Sequence, residues 1–271
     1  MTTAEADPRR LPAMRALLAI AAAATLAACS VVRGPAIPVW HRLHEAPAGP
    51  ASGLVVMLPG IGDTGEDFVR NDMVARIHAV APHLDVATVD ANLGYHVRGI
   101  LAERVHQDVI QPRRDRYREI WIVGISLGGL GATTYAASYP HVVDGVLLLA
   151  PFLGEDDVVD EVARAGGVRS WSAPELDRFA NPMRRLTHRA WSWAREVAEG
   201  TGDQPVVLLG YGRHDRYARA HGMLAEALPA GSVATVDGAH DWQAWRDLFD
   251  VLLPLAFGEA PSDRGRERFA P

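Results

Sequence analysis

Residues 119–131 read E-I-W-I-V-G-I-S-L-G-G-L-G, an apolar run, then G-x-S-x-G, then small residues suited to a helix. A serine in that setting sits on a sharp strand-to-helix turn, with its hydroxyl lifted above the sheet. Gly124 and Gly128 flank the turn, where side chains would collide with neighbouring backbone. The helix that starts after Ser126 points its positive end at the same spot, which favours a developing negative charge. The chemistry this allows is nucleophilic attack by Ser126 on an acyl carbon. The pentapeptide alone is a weak signal, and a Gly-rich turn with a solvated serine is the plain alternative. The strand before it and the helix after it favour the nucleophile.

The elements that must position this serine alternate along the chain. Strand-like runs fall at Leu54–Leu58, Val86–Val89, Ile120–Val123, Val143–Ala150, Val206–Leu209 and Val233–Val236. Several are unbroken apolar runs, as expected of strands buried on both faces. Helical patterns lie between them at Asp67–Val80, Gly99–Ile110, Leu127–Ser138, Arg216–Leu228 and Trp242–Leu255. This alternation predicts an α/β fold with a mostly parallel central sheet and helices on both faces. An edge strand is expected around Ile37–Leu43. Residues 152–204 are too long for a plain connection. They carry Trp171, Trp191 and Trp193 with Phe152, Phe179 and Met183. They read as a small helical cap over the C-terminal edge of the sheet. Those aromatics either line a pocket above Ser126 or form the cap's own core; a lined, enclosed pocket predicts faster cleavage of short acyl esters.

G-I-S-L-G-G resembles the elbow of esterases and lipases, and residues 52–257 resemble the α/β-hydrolase fold family. The resemblance implies two partners, in the order acid, then histidine. His240 lies in V-A-T-V-D-G-A-H-D-W, past the last apolar strand, and G-x-H-D-W-x-x-W is similar to the histidine loop of an esterase branch that includes tributyrin-type esterases and mycolyl transferases. His141, His214 and His221 do not follow the last strand. The acid is expected after the preceding strand, in G-Y-G-R-H-D-R-Y, which selects Asp215; Asp237, three residues before His240, competes. Asp215 would hold the imidazole by accepting its Nδ1–H. The resemblance also implies an oxyanion hole from the backbone N–H groups of Ile61, in Pro59-Gly60-Ile61-Gly62, and of Leu127. Here Leu58-Pro59-Gly60 stands where many relatives carry His-Gly. The expected activity is a serine carboxylic ester hydrolase, on esters or thioesters, with no cofactor and no metal. An acyltransferase, a lysophospholipase or lipase, and a tethered binding protein on the same scaffold are the alternatives.

Composition narrows the field. All 27 basic residues are Arg, which excludes any mechanism that needs a lysine: a Walker A loop, a kinase strand lysine or a Schiff base. The formal net charge of −6 gives nucleic acid no basic face. Cys29 is the lone cysteine, so neither an internal disulfide nor a multi-cysteine zinc site can form. Arg9, Arg10 and Arg15 precede a short apolar stretch, residues 16–28, which fits a secretory signal and is too short to span a bilayer. Leu26-Ala27-Ala28-Cys29 resembles the lipobox of bacterial lipoproteins. It implies a signal over 1–28, lipidation of Cys29, a tether over 29–52 and a membrane anchor on the periplasmic or extracellular face. A plain signal peptide or an Ala-rich helix is the alternative there, and Met14 is an alternative start. The domain proper is expected over 53–257, with a frayed tail over 258–271.

Overall fold

The computed structural model describes residues 34–200 and 204–258. Cys29, the signal segment and the tail beyond Gly258 lie outside the described residues.

The elements in chain order are β1 His41–His44, β2 Gly53–Leu58, α1 Gly65–Arg70, α2 Met73–Val80, β3 Leu84–Val89, α3 Leu93–Val97, α4 Leu101–Arg104, β4 Glu119–Ile125, α5 Leu127–Ser138, β5 Gly145–Leu149, α6 Asp156–Arg164, α7 Pro182–Glu199, β6 Val206–Gly212, α8 Ala218–Ala225, β7 Val233–Val236 and α9 Trp242–Phe257. Among the described residues the strands form one seven-stranded sheet in the order β1-β3-β2-β4-β5-β6-β7. β1 runs antiparallel to β3 at one edge, pairing His41 with Val89. Every other pairing is parallel. The fold class read from the alternation is the one found.

The strands are apolar throughout because both faces are covered. Along β2, Leu54, Val56 and Leu58 enter one core with α5 and α7, while Val55 and Met57 enter the other with α1, α2 and α9. β4 divides in the same way, Ile120 and Ile122 on one side and Trp121, Val123 and Ile125 on the other.

Several boundaries differ from the sequence reading. The helix expected over Asp67–Val80 is two helices, broken at Asn71-Asp72. The Asn71 amide donates to the Asp67 carbonyl at 2.9 Å, and Asp72 takes φ +60° before α2 begins. The helix expected over Gly99–Ile110 is one α turn, α4, that widens into a π turn over Val105–Ile110 and ends in a 3-10 segment, Gln111–Arg116. α3 was not expected, since five residues are too few to show a periodicity.

The largest correction concerns residues 152–204. α7 packs along α5 and against α3. Trp171, Trp191 and Trp193 are buried in the larger of the two cores, and the Trp191 indole N–H donates to the Leu153 carbonyl at 2.8 Å. The tryptophans are therefore structural. α7 belongs to the helix layer that any parallel β5-to-β6 crossover must supply. Trp191→Ala is expected to destabilise the whole domain by about 3–5 kcal/mol, read as a shift of the urea midpoint. A cap detached from the core would unfold separately and leave that midpoint in place.

Candidate active site

β4 delivers Ser126 and α5 carries the chain away from it. The serine sits at φ +51° and ψ −113°, outside the helical and strand regions. Two glycines make that turn possible. A Cβ on Gly124 would lie 2.4 Å from the Gly128 carbonyl oxygen, and a Cβ on Gly128 would lie 2.0 Å from that of Leu58. The turn is held by its own backbone: the Ser126 N–H donates to Leu149 at 3.0 Å, and the Ser126 carbonyl accepts from Gly129 and from Phe152, at 2.9 and 2.8 Å.

The acid and the histidine arrive on neighbouring loops. Asp215 follows β6, and His240 follows β7. The loops meet because Gly212 has no side chain: a Cβ there would lie 2.2 Å from the Gly238 carbonyl oxygen. The His214 N–H donates to that same carbonyl at 2.9 Å. His240 Nε2 lies 2.9 Å from Ser126 Oγ, and His240 Nδ1 lies 2.7 Å from Asp215 Oδ2. Chemistry assigns the protons: Nδ1–H donates to the carboxylate, and the serine hydroxyl donates to Nε2. Asp215 Oδ1 accepts from the Tyr217 N–H at 2.8 Å. Burial works against the Asp215 charge. The hydrogen bonds from His240 and the Tyr217 N–H outweigh it and hold the carboxyl below its ordinary range. The His240 ring is held by two edge-to-face contacts, with Tyr217 and with Trp245, both at 5.2 Å. Asp241 fixes the end of the loop by accepting from the Ala244 N–H and capping α9.

Asp237, the competing acid, is exposed and pairs with His214 at 2.8 Å and with Arg213 at 3.9 Å. His221 is buried and, with Nε2 at 2.9 Å from the Pro151 carbonyl, donates to it. The structure thus brings together Ser126, Asp215 and His240 and leaves the other candidates elsewhere.

The turn after β2 closes the other side of the site. The Asp63 N–H donates to the Gly60 carbonyl at 3.3 Å, leaving Ile61 at the tip, half exposed. A Cβ on Gly60 would lie 3.6 Å from Ser126 Cβ, so this backbone runs beside the serine. The Leu127 N–H opens α5 and has no intrahelical acceptor. A cleft of about 360 Å³ lies over these groups. Gly60, Ile61, Asp63, Ser126, His240 and Trp242 are among its lining residues. None of the lining residues comes from 152–204, which removes the basis for a pocket enclosed by a cap. Burial and the nearby Asp67 charge raise the Asp63 carboxyl above its ordinary value, partly offset by the Trp242 indole. Sequence reasoning assigned no role to Tyr217, Trp242 or Trp245, although each lies within a quoted motif string. Among the described residues no cluster of His, Cys, Asp or Glu could hold a metal ion, and no helix is long and apolar enough to cross a membrane.

The family model for serine aminopeptidase, S33 (Hydrolase_4) matches residues 102–229, a stretch that holds Ser126 and Asp215 and ends before His240. Among solved structures, the chain is similar to a ferulic acid esterase, at 17% identity and TM-score 0.53 over 77% of this chain and 85% of that one. It is similar to the S-formylglutathione hydrolase FrmB of Staphylococcus aureus, at 14% identity and TM-score 0.54 over 84% and 99% of the two chains. A third is FphF, a fluorophosphonate-binding serine hydrolase of Staphylococcus aureus, at 16% identity and TM-score 0.52 over 78% and 85%. Comparison with curated protein sequences finds no match. The sheet order and these likenesses define the fold as that of the α/β hydrolases.

Two buried histidines, His96 and His221, give the fold an acid sensitivity. Burial lowers His96 from 6.5 to about 3. Burial also lowers His221 to about 4, against the pull of the Asp215 charge and the Pro151 hydrogen bond. In the unfolded chain both bind a proton near 6.5. Their contribution to stability is therefore full above pH 6.5 and is lost as pH falls through 6.5 toward the folded values. The urea midpoint is expected to drop between pH 7 and pH 5, and the drop should shrink in His221→Gln. An unchanged drop in that variant would refute the assignment.

Proposed function

We propose that the protein is a serine hydrolase that cleaves carboxylic esters, thioesters included, through an acyl-enzyme on Ser126. The observation that carries this reading is the unbroken hydrogen-bond line from Asp215 through His240 to Ser126 Oγ. Ser126 Oγ attacks the acyl carbon while His240 Nε2 takes its proton. The carbonyl oxygen becomes an oxyanion and is held by the backbone N–H groups of Ile61 and Leu127. Asp215 keeps the imidazole in the right tautomer and offsets the charge of the imidazolium. His240 then gives its proton to the leaving alcohol or thiol. It next takes a proton from water, which attacks the acyl-enzyme, and returns that proton to Ser126 Oγ as the bond to the acyl carbon breaks and the acid leaves. These steps need no cofactor or metal. An alcohol in place of water would make the same site an acyltransferase, and product analysis with an added alcohol separates the two.

We infer lipidation at Cys29, on the Leu26-Ala27-Ala28-Cys29 motif, with the domain held on the periplasmic or extracellular face. Cys29→Ala is expected to leave the membrane fraction or to stay unprocessed; fractionation indistinguishable from wild type would end that inference.

A fluorophosphonate probe should label Ser126 in the intact protein and fail to label Ser126→Ala. Ser126→Ala and His240→Ala should each lower kcat by about 10⁴–10⁶-fold, and the double variant should be scarcely worse, because the residues act as one unit. Asp215→Asn should cost on the order of 10⁴-fold by leaving the imidazole in the wrong tautomer. Asp237→Asn should stay near wild type; a large loss there would refute the acid assignment.

A further inference from the structure

Apolar side chains held out in water collect at one end of the sheet. Ile37, Trp40, Ile61 and Val97 are each about half exposed or more. The other exposed large hydrophobics among the described residues, Val80, Val251 and Leu255, sit on α2 and α9. β1 runs antiparallel to β3 and pairs His41 with Val89, so its first residue stands at the carboxyl end of β3. Trp40 comes just before it, and its carbonyl accepts from the Asp90 N–H at 2.9 Å. Val97 ends α3, the short helix that follows β3, and Ile61 tips the turn after β2. Ser126 follows β4 at the same end. In the order β1-β3-β2-β4 the Trp40 edge is three strands from the nucleophile, about 14 Å at the usual strand spacing.

The segment that presents Ile37 and Trp40 is fixed in place. The Tyr95 hydroxyl donates to the Ala36 carbonyl at 2.6 Å, and the Val39 N–H donates to Asp108 Oδ2 at 2.8 Å. The Val39 side chain is buried in the core between these two exposed neighbours. Apolar groups held outward this firmly gain nothing from the domain's own core, which points to a partner outside it.

Two features name that partner. The segment begins at Gly34, five residues after Cys29, and five residues span at most about 17 Å. A lipid on Cys29 therefore keeps this end of the sheet close to the bilayer. Arg98 supplies a cation at the same place: a Cβ on Gly34 would lie 3.9 Å from its guanidinium, and among the described residues it pairs with no carboxylate.

We propose that this face docks on the bilayer: Ile37 and Trp40 enter the leaflet that holds the Cys29 lipid, Arg98 meets its phosphates, and the cleft over Ser126 takes ester substrates from that leaflet. This rests on the Cys29 inference and the serine-hydrolase reading above. Tryptophan suits the depth, because its ring is apolar and its N–H meets the headgroups. The lipid alone holds the protein on the membrane and leaves its orientation free; the two side chains set it.

The test uses the full-length, lipidated protein reconstituted into vesicles of phosphatidylethanolamine and phosphatidylglycerol, with and without bromine on the acyl chains. Bromine quenches an indole that lies among those chains. The emission lost to bromine is expected to be clearly smaller in Trp40→Phe, which removes the indole and keeps an apolar ring. Two rates are then compared, for p-nitrophenyl acetate in water and for p-nitrophenyl palmitate dissolved in the vesicles. The double variant I37S/W40S should stay with the vesicles and keep the acetate rate. Its palmitate rate should fall about tenfold, as expected when two partly exposed apolar side chains lose their lipid surroundings. Trp40→Phe should retain most of that rate. Equal quenching in wild type and Trp40→Phe, or palmitate turnover no higher in wild type than in I37S/W40S, overturns the proposal. A particle mass in detergent that drops in I37S/W40S would assign the face to a second copy and overturn it as well. Wild-type protein that does not stay with the vesicles sinks the Cys29 inference, and loss of both esterase rates in wild type sinks the hydrolase reading; either takes the proposal with it.

Discussion

Gly128 passes so close to the end of β2 that a Cβ on it would lie 2.0 Å from the Leu58 carbonyl oxygen and 2.6 Å from that of Pro59. The start of α5 and the turn that follows β2 therefore occupy adjoining space, and only glycine permits it. Gly124 meets the same limit from the other side, against the Gly128 and Gly129 backbone. Between them Ser126 is forced to φ +51°, a conformation that costs of order 1–3 kcal/mol for a residue with a Cβ. The buried sheet on one side and the buried α5 on the other supply the packing that holds it there. The strain has a chemical return. It places the serine beside the Gly60 backbone and at the start of α5, the geometry on which the proposed oxyanion site rests.

A second close approach does for the acid and the histidine what the first does for the serine. Gly212 ends β6 against the Gly238 carbonyl, which brings loops separated by α8 and β7 into contact. Asp215 can then be both buried and ionised, because its two oxygens have separate donors, the Tyr217 N–H and His240 Nδ1. Each loop follows the carboxyl end of a parallel strand, where open α/β sheets place their ligands. The parallel register of β4, β5, β6 and β7 thus fixes the spacing of the three groups before any side chain is chosen.

The parts legible in the sequence were those whose physical cause is local. G-x-S-x-G after an apolar run marks a turn only glycines can make, and a strand buried on both faces reads as an unbroken apolar run. Choosing Asp215 over the sequence-nearer Asp237 needed the rule that the acid follows the penultimate strand; the structure shows Asp237 held outward by His214. What sequence could not show depends on contacts between distant elements. Tryptophans at helical spacing look alike whether they line a pocket or fill a core, and α7 buries Trp191 and Trp193 against α5. The break at Asp72 is likewise unannounced, with no Pro or Gly at it. Tyr217 and Trp245 were in plain view within the motif strings. Their role as edges against the His240 ring appears only when the two loops meet.

The placement of α7 bears on how Ser126 can be covered or uncovered. A lid must open without breaking the core, yet this insertion is tied to the core at several points. Trp191 holds Leu153, and Arg169 donates to the Ala227 carbonyl beyond α8. His188 is wholly buried beside Glu161 and bonds the Arg184 carbonyl, locking α6 to α7. Swinging the segment away would expose three fully or nearly buried tryptophans, at a cost of several kcal/mol in apolar surface alone. Backbone closure over Ser126 is therefore an expensive motion here, whereas rotation of a half-buried side chain at its rim is a cheap one. What can move around Ser126 is then the side chains that line its cleft, Ile61, Asp63 and Trp242 among them.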